Sequence, residues 1–164
     1  MKLYYYSDPA VRAACHARGA DYTPAYLPVM LKNWGLTGEA IEPTALDTLR
    51  AGDILLVGAD TLDAAAQRLL ADKDITVIGF GTRADALFGV TVTGEACGDD
   101  PYALAAYFRF ADDDTPLPVL QGYLCADTAA EVAGTIDGAP ACVKTARTVW
   151  FAGIFATQSL RATI

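Results

Sequence analysis

The sequence predicts an α/β fold: a three-layer sandwich whose mostly parallel sheet is extended by antiparallel strands from the C-terminal half. Three observations carry that expectation. From Leu3 to Gly89, short apolar runs bounded by turn residues alternate with helix-period segments. The loops joining them are short, so right-handed crossovers would lay helices on both faces of the sheet. Beyond Gly89 the helix signals give way to β-rich runs separated by turns, the pattern of antiparallel pairing.

Leu3-Tyr4-Tyr5-Tyr6 reads as the first strand. Asp8-Pro9 opens a helix, with Asp as N-cap and Pro at the first helical position, and the helix stops at Gly19. Pro24 and Pro28 break the next stretch. A short helix over Val29 to Trp34 follows, then a short strand over Glu39 to Glu42 and a helix from Ala45 to Arg50 capped by Thr44. Asp53 to Gly58 is a continuous apolar run of the kind covered on both faces. Thr61 is expected to cap a helix over Leu62 to Ala71, with Leu62, Ala65, Ala66, Leu69 and Leu70 on one face. Ile75 to Ile78 is the next buried strand. Gly79-Phe80-Gly81-Thr82 turns into a helix from Arg83 to Phe88 that Gly89 ends.

In the second half, Val90 to Thr93 reads as a short strand and Asp100-Pro101 as the cap of a helix over Tyr102 to Phe108. Asp112-Asp113-Asp114 reads as a solvated loop. Leu117 to Cys125, Ala130 to Ile136, Ala141 to Lys144 and Thr148 to Phe155 read as strands, turning at Asp137-Gly138 and near Ala146-Arg147. A last helix is expected to begin at Thr157 or Ser159. The end at Ile164 leaves two alternatives open, a natural terminus or a domain excised from a longer protein.

Composition bounds function. The 164 residues make a single domain over 1–164, and 53% hydrophobic residues supply a sizeable core. Twenty acidic residues against twelve basic ones give a net charge of −8. Nucleic acid is therefore not an expected partner, because a duplex-binding face needs clustered Lys and Arg. There is no apolar run long enough to span a membrane and no signal-peptide pattern, so the expected setting is cytoplasmic, without membrane contact. Cys15, Cys97, Cys125 and Cys142 lack the close pairing of zinc ligands and are expected as free thiols in a reducing compartment. No metal and no cofactor is expected.

Ligands of open α/β sheets bind outside the carboxyl ends of the strands. Those positions carry Asp8, Asp60, Thr82 and Arg83, which are the candidate ligand-binding residues. Arg83 near a helix start would suit an anionic or polyol ligand. For Asp8, Asp60 and Thr82 helix capping alone explains the residue type. Neither a G-x-G-x-x-G after the first strand nor a G-x-x-x-x-G-K-[ST] is present. His16, the single histidine, sits beside Cys15 rather than opposite another cysteine, so no nucleophile–base pair is evident.

The stretch from Asp53 to Val90 resembles the class I glutamine amidotransferase-like superfamily. Its pieces are the strand Ile54 to Ala59, a helix, the strand Ile75 to Ile78, the tight turn Gly79-Phe80-Gly81 and a helix ending in Leu87-Phe88-Gly89-Val90. Active members carry G-x-C-x-G at that turn; here it reads Val77-Ile78-Gly79-Phe80-Gly81, with glycine in the cysteine position. The His-x-Glu pair is missing as well. From Ala51 onward the chain is more similar to non-catalytic branches, the ThuA-like proteins and the trimerisation domains of β-galactosidases, through Val132-Ala133-Gly134, Asp137-Gly138-Ala139-Pro140-Ala141 and Val149-Trp150-Phe151-Ala152-Gly153. The resemblance implies a flavodoxin-like sheet, no catalytic residues, and a structural or interaction role in a carbohydrate-active protein, with its own protomers or neighbouring domains as partners. The alternative is a small-molecule binder or hydrolase that uses the strand-end loops.

Overall fold

The computed structural model describes residues 1–100 and 103–155. The three strands expected to be parallel are so, and the short strand at Glu39–Ile41 joins them in parallel. β1 (Leu3–Tyr6) pairs with both β2 (Glu39–Ile41) and β3 (Ile54–Gly58), and β3 pairs with β4 (Thr76–Phe80). A fifth parallel partner comes from far along the chain: β10 (Thr148–Phe151) lies beside β4, giving the spatial order β2-β1-β3-β4-β10.

The helices follow from local chemistry. In α1 (Pro9–Ala17), Asp8 caps as expected, its carboxylate accepting from the N–H groups of Ala10 and Val11. α2 (Leu27–Asn33) starts earlier than its sequence suggests, since Pro28 is tolerated in a first turn. Thr44 caps nothing: Pro43–Thr48 forms a 3-10 helix. α3 (Ala64–Asp72) is capped by Asp63, not Thr61, whose backbone is instead held beside Arg83 in an isolated bridge. α4 is only Asp85–Phe88, and Gly89 closes it with φ of 67°, a left-handed conformation that costs glycine nothing.

Helices flank both faces of β3 and β4. Beside Gly58 on one face lie Pro24 and Leu27; beside Gly79 on the other lies Phe88 of α4. On the α4 side Leu55, Val57, Val77 and Trp150 are completely or almost completely buried. The layering does not extend along the sheet, however. Among the described residues, no helix lies over the centre of the opposite face of β3, β4 and β10.

The sheet as a whole corrects the expectation of a mostly parallel one. Eleven strands among the described residues form one mixed sheet, ordered β11-β7-β6-β8-β9-β10-β4-β3-β1-β2, with β5 on β7. Every pairing from β10 toward β7 is antiparallel. The new strands are β5 (Val92–Cys97), β6 (Ala106–Phe110), β7 (Asp113–Cys125), β8 (Glu131–Ile136), β9 (Ala139–Lys144) and β11 (Gly153–Phe155). The helix expected over Tyr102 to Phe108 is a strand from Ala106, with Tyr102 outside the described residues. Pairing on both sides, with β7 and β8, overrides the helix-favouring composition there. The acidic loop is the turn into β7, which begins at Asp113. Asp137 and Gly138 both take positive φ, 49° and 82°, as a two-residue hairpin turn between β8 and β9 requires. The helix expected from Thr157 or Ser159 lies outside the described residues.

β10 and β11 are separated by Ala152 alone, yet β10 pairs with β9 and β11 with β7. One bent strand therefore closes the run β9-β8-β6-β7 on itself. Phe108, Val119 and Ile136, all essentially unexposed, occupy matching faces of the strands in this closed unit. The two halves of the molecule share that bent strand.

Candidate functional site

Among the described residues, two concave regions beside the parallel strands stand out. The first is the crevice at their carboxyl ends, where the sequence places its candidates. Asp8 and Asp60 are brought together there by a residue that sequence reasoning missed. The Asp8 N–H donates to the Tyr22 hydroxyl (2.8 Å), and that hydroxyl donates to Asp60 Oδ2 (3.0 Å). The chain of bonds ties the end of β1 to the end of β3 through the loop after α1. Asp60 is only 4% exposed. Burial pushes its carboxyl up to about 6; the Tyr22 hydrogen bond opposes this and the Asp8 charge adds to it. Burial likewise raises the Tyr22 hydroxyl, and raises Tyr6 to about 12 with help from Asp8, Asp60 and Asp63. Ala59, at the end of β3, has φ of 45°, a rare conformation for a residue with a side chain.

Thr82 and Arg83 take other directions. Thr82 is fully buried; its hydroxyl donates to the Val57 carbonyl (2.8 Å), and its own carbonyl accepts from Trp150 Nε1 (3.0 Å). Arg83 donates its backbone N–H to the Asp60 carbonyl, but its guanidinium reaches Asp85 (3.3 Å) and lies 5.4 Å from the centre of the Tyr123 ring. Asp8, through its backbone N–H, and Asp60, through its carboxylate, thus meet on the Tyr22 hydroxyl while the Asp8 carboxylate caps α1. Thr82 is a strand-to-strand tie and Arg83 faces α4 and β7.

The elbow expected at Gly79 is also absent. β4 runs on to Phe80, and the chain turns only at Gly81, with φ of 64°. A Cβ on Gly79 would lie 2.7 Å from Phe88 Cζ and 3.1 Å from Thr82 Oγ1, so this position faces α4 and the core rather than solvent. What borders the crevice instead comes from the second half: Glu95 and Cys97 of β5 and Gln121 and Tyr123 of β7 line a cleft of about 120 Å³ with Ala59 and Gly81. Cys97 is exposed, whereas Cys15, Cys125 and Cys142 are buried, and all four are free. Burial pushes the Cys125 and Cys142 thiols up to about 11, which keeps them protonated and unreactive at neutral pH. His16 lies on the exposed side of α1.

The second region is a groove of about 1310 Å³ on the sheet face opposite α4. Its floor is apolar, from Leu3 through Ile54, Leu56 and Ile78 to Val149 and Phe151. Leu31 of α2 and Trp34, just past its end, wall it on one side, and the β6–β7 turn on the other.

Asp60 makes stability depend on pH in a defined sense. Its folded value, about 6, lies above the ordinary 3.8, so the native state favours the protonated acid. That contribution is fully present below about pH 4 and is lost as pH rises through 6. Asp60→Asn keeps an acceptor for Tyr22 and carries no charge. It is expected to be more stable than the parent at pH 8 by about 1–3 kcal/mol and nearly equal to it at pH 4. Urea denaturation at the two pH values checks this; equal differences at both would mean Asp60 is not protonated by burial.

No helix among the described residues is long and apolar enough to cross a membrane. No protein-family model and no curated protein matches the chain. Solved structures share its fold. The β-galactosidase of the psychrophilic Marinomonas ef1 matches 99% of this chain and 28% of its own, with a TM-score of 0.73 at 13% identity. The β-galactosidase of Bacillus circulans sp. alkalophilus matches 99% of this chain and 30% of its own, with a TM-score of 0.77 at 10% identity. Agd3, described as a novel carbohydrate deacetylase, matches 96% of this chain and 30% of its own, with a TM-score of 0.59 at 12% identity. The chain therefore has the fold of one part of these β-galactosidase chains and spans about 30% of their length.

Proposed function

We propose that this chain is a non-catalytic domain of a carbohydrate-active protein, whose role is to pack against neighbouring domains or other protomers. The likeness over 99% of the chain to under a third of β-galactosidase chains carries the reading. The order β2-β1-β3-β4-β10 supports a flavodoxin-like parallel half, and with it a place among the non-catalytic, ThuA-like relatives of the amidotransferase superfamily. The closed position at Gly79 supports the absence of amidotransferase chemistry. Of the aromatics that could serve contact, Trp150 is core, whereas Tyr107 is exposed and Trp34 lies half-buried in the groove wall. Three buried thiols suit a reducing, cytoplasmic setting.

A second reading, a polyol-binding protein or hydrolase built on Asp8, Asp60, Thr82 and Arg83, is favoured by one observation: Asp60 is buried at the crevice, and that burial pushes its carboxyl up to about 6. Assay of the purified chain against nitrophenyl β-galactoside, with thermal melting in galactose, separates the two. The first reading expects no nitrophenolate release and no change in melting temperature. Turnover, or a saturable rise in melting temperature, that Asp60→Asn abolishes would overturn it in favour of the second.

A further inference from the structure

The sheet face over which no described helix lies deepens the interaction role proposed above, and the inference drawn from it rests on that reading. Parallel strands are ordinarily covered on both faces, because their crossovers lay helices there. The run Ile54-Leu55-Leu56-Val57 has the composition of such a doubly covered strand. One of its faces is closed, with Leu55 and Val57 unexposed. On the other, Leu56 is 3% exposed, but Ile54 and its neighbours Ile78 and Val149 are only half-buried and form the groove floor with it.

Three properties of the groove identify what would cover it. A helix fills about 120 Å³ per residue, from a diameter of about 10 Å and a rise of 1.5 Å, so a space of this size takes about eleven residues, or three turns. The floor is a sheet face, whose backbone groups are already spent in the ladder; a strand laid there would find no hydrogen-bond partners, whereas a helix satisfies its own. The rim carries four carboxylates, Glu39, Asp112, Asp113 and Glu131, against three ammonium groups, those of Lys2, Lys144 and the Met1 amino terminus. Lys2 is already 3.6 Å from Glu39. A second copy of this chain would bring the same excess of negative charge to a rim that repels it.

We propose that the groove seats an amphipathic helix of about three turns, with an apolar stripe facing Ile78 and Val149 and with Lys or Arg along its borders, supplied by a neighbouring polypeptide segment.

Selection of a displayed random 16-residue peptide library on the intact protein tests this. Enriched peptides are expected to place apolar residues at i, i+3, i+4 and i+7 and to carry an excess of Lys and Arg. A fluorescent synthetic copy of an enriched peptide is expected to bind about tenfold or more weakly to Ile78→Asp. The exposed double variant Asp112→Lys/Asp113→Lys, which does not touch the core, is expected to weaken it several-fold, and Val11→Asp on α1 to leave it unchanged. Failure to enrich any peptide, enrichment of acidic or non-helical sequences, or affinity unchanged in both groove variants would overturn the proposal. Self-association by light scattering that Ile78→Asp abolishes would also overturn it, in favour of a second copy as occupant. None of these readouts involves sugar turnover, so this seat can fail while the non-catalytic reading stands, and the reverse.

Discussion

Trp150→Ala is expected to destabilise the protein by about 3–5 kcal/mol, the usual cost of deleting a large aromatic from a packed core. Trp150 has no exposed surface. It stands on β10 between β4 and β9, on the face that α4 covers, and its Nε1 donates to the Thr82 carbonyl. Truncation leaves a cavity and also orphans that buried carbonyl. Thr82 is in turn the residue whose hydroxyl ties back to Val57 of β3, so the loss spreads to the turn after β4. Natural domains hold only about 5–15 kcal/mol in all, and such a loss would leave a substantial unfolded fraction near 37 °C. Trp150→Phe retains most of the packing and forfeits the hydrogen bond, so it is expected to cost less, about 1–2 kcal/mol. Denaturant midpoints followed by circular dichroism measure both. A loss under about 1 kcal/mol for the alanine variant would mean that Trp150 is not the keystone of the sheet.

Gly153→Ala is expected to disrupt the closure of the second half. A Cβ there would collide with the Gln121 carbonyl oxygen and lie 2.9 Å from Gly122 Cα. Both obstacles are backbone, so no rotamer change relieves them, and β11 must move off β7. Overpacking of this kind costs about 1–3 kcal/mol and more where the backbone cannot yield. Gly94→Ala provides the contrast: its added Cβ meets only Leu124 Cδ1, at 3.9 Å. Replacing a strand glycine where there is room removes unfolded-state freedom, so that variant is expected to match or slightly exceed the parent. Thermal melts of the two variants side by side decide it, and equal melting temperatures would refute the closed arrangement.

The parts of this fold that the sequence made legible are those set by local chemistry. Asp8-Pro9 marked the start of α1, the apolar runs marked β3 and β4, and Asp137-Gly138 marked a hairpin, each through constraints acting within a few residues. Local signals misled where distant pairing decided the outcome. Leu104 to Tyr107 favours a helix in isolation, but Ala106 and Phe108 are claimed by β7, and Phe108 by β8 as well. Thr148 to Phe155 read as one strand, and nothing within it announced that its two ends serve different neighbours. The candidate site suffered in the same way. Asp60 read as a cap, yet its partner is Tyr22, 38 residues earlier, and the cap of α3 is Asp63. The Gly79 position read as a turn because glycines cluster there, although the strand continues through it because Phe88 requires a side chain's worth of space beneath.

The place of β10 in the sheet has a consequence for synthesis on the ribosome. β1 to β4 are complete when Phe80 has emerged, but the outer edge of β4 must wait for Thr148 to Phe151. At about 5–20 residues per second, the intervening stretch of about 70 residues takes several seconds to appear. Throughout that interval Thr76 to Phe80 presents an unpaired, apolar strand edge, of the kind that recruits other chains. Until its last central strand arrives, the nascent N-terminal half is thus expected to be open to pairing with other chains along that edge. A release of the chain before Phe151 would free a fragment with that edge permanently open.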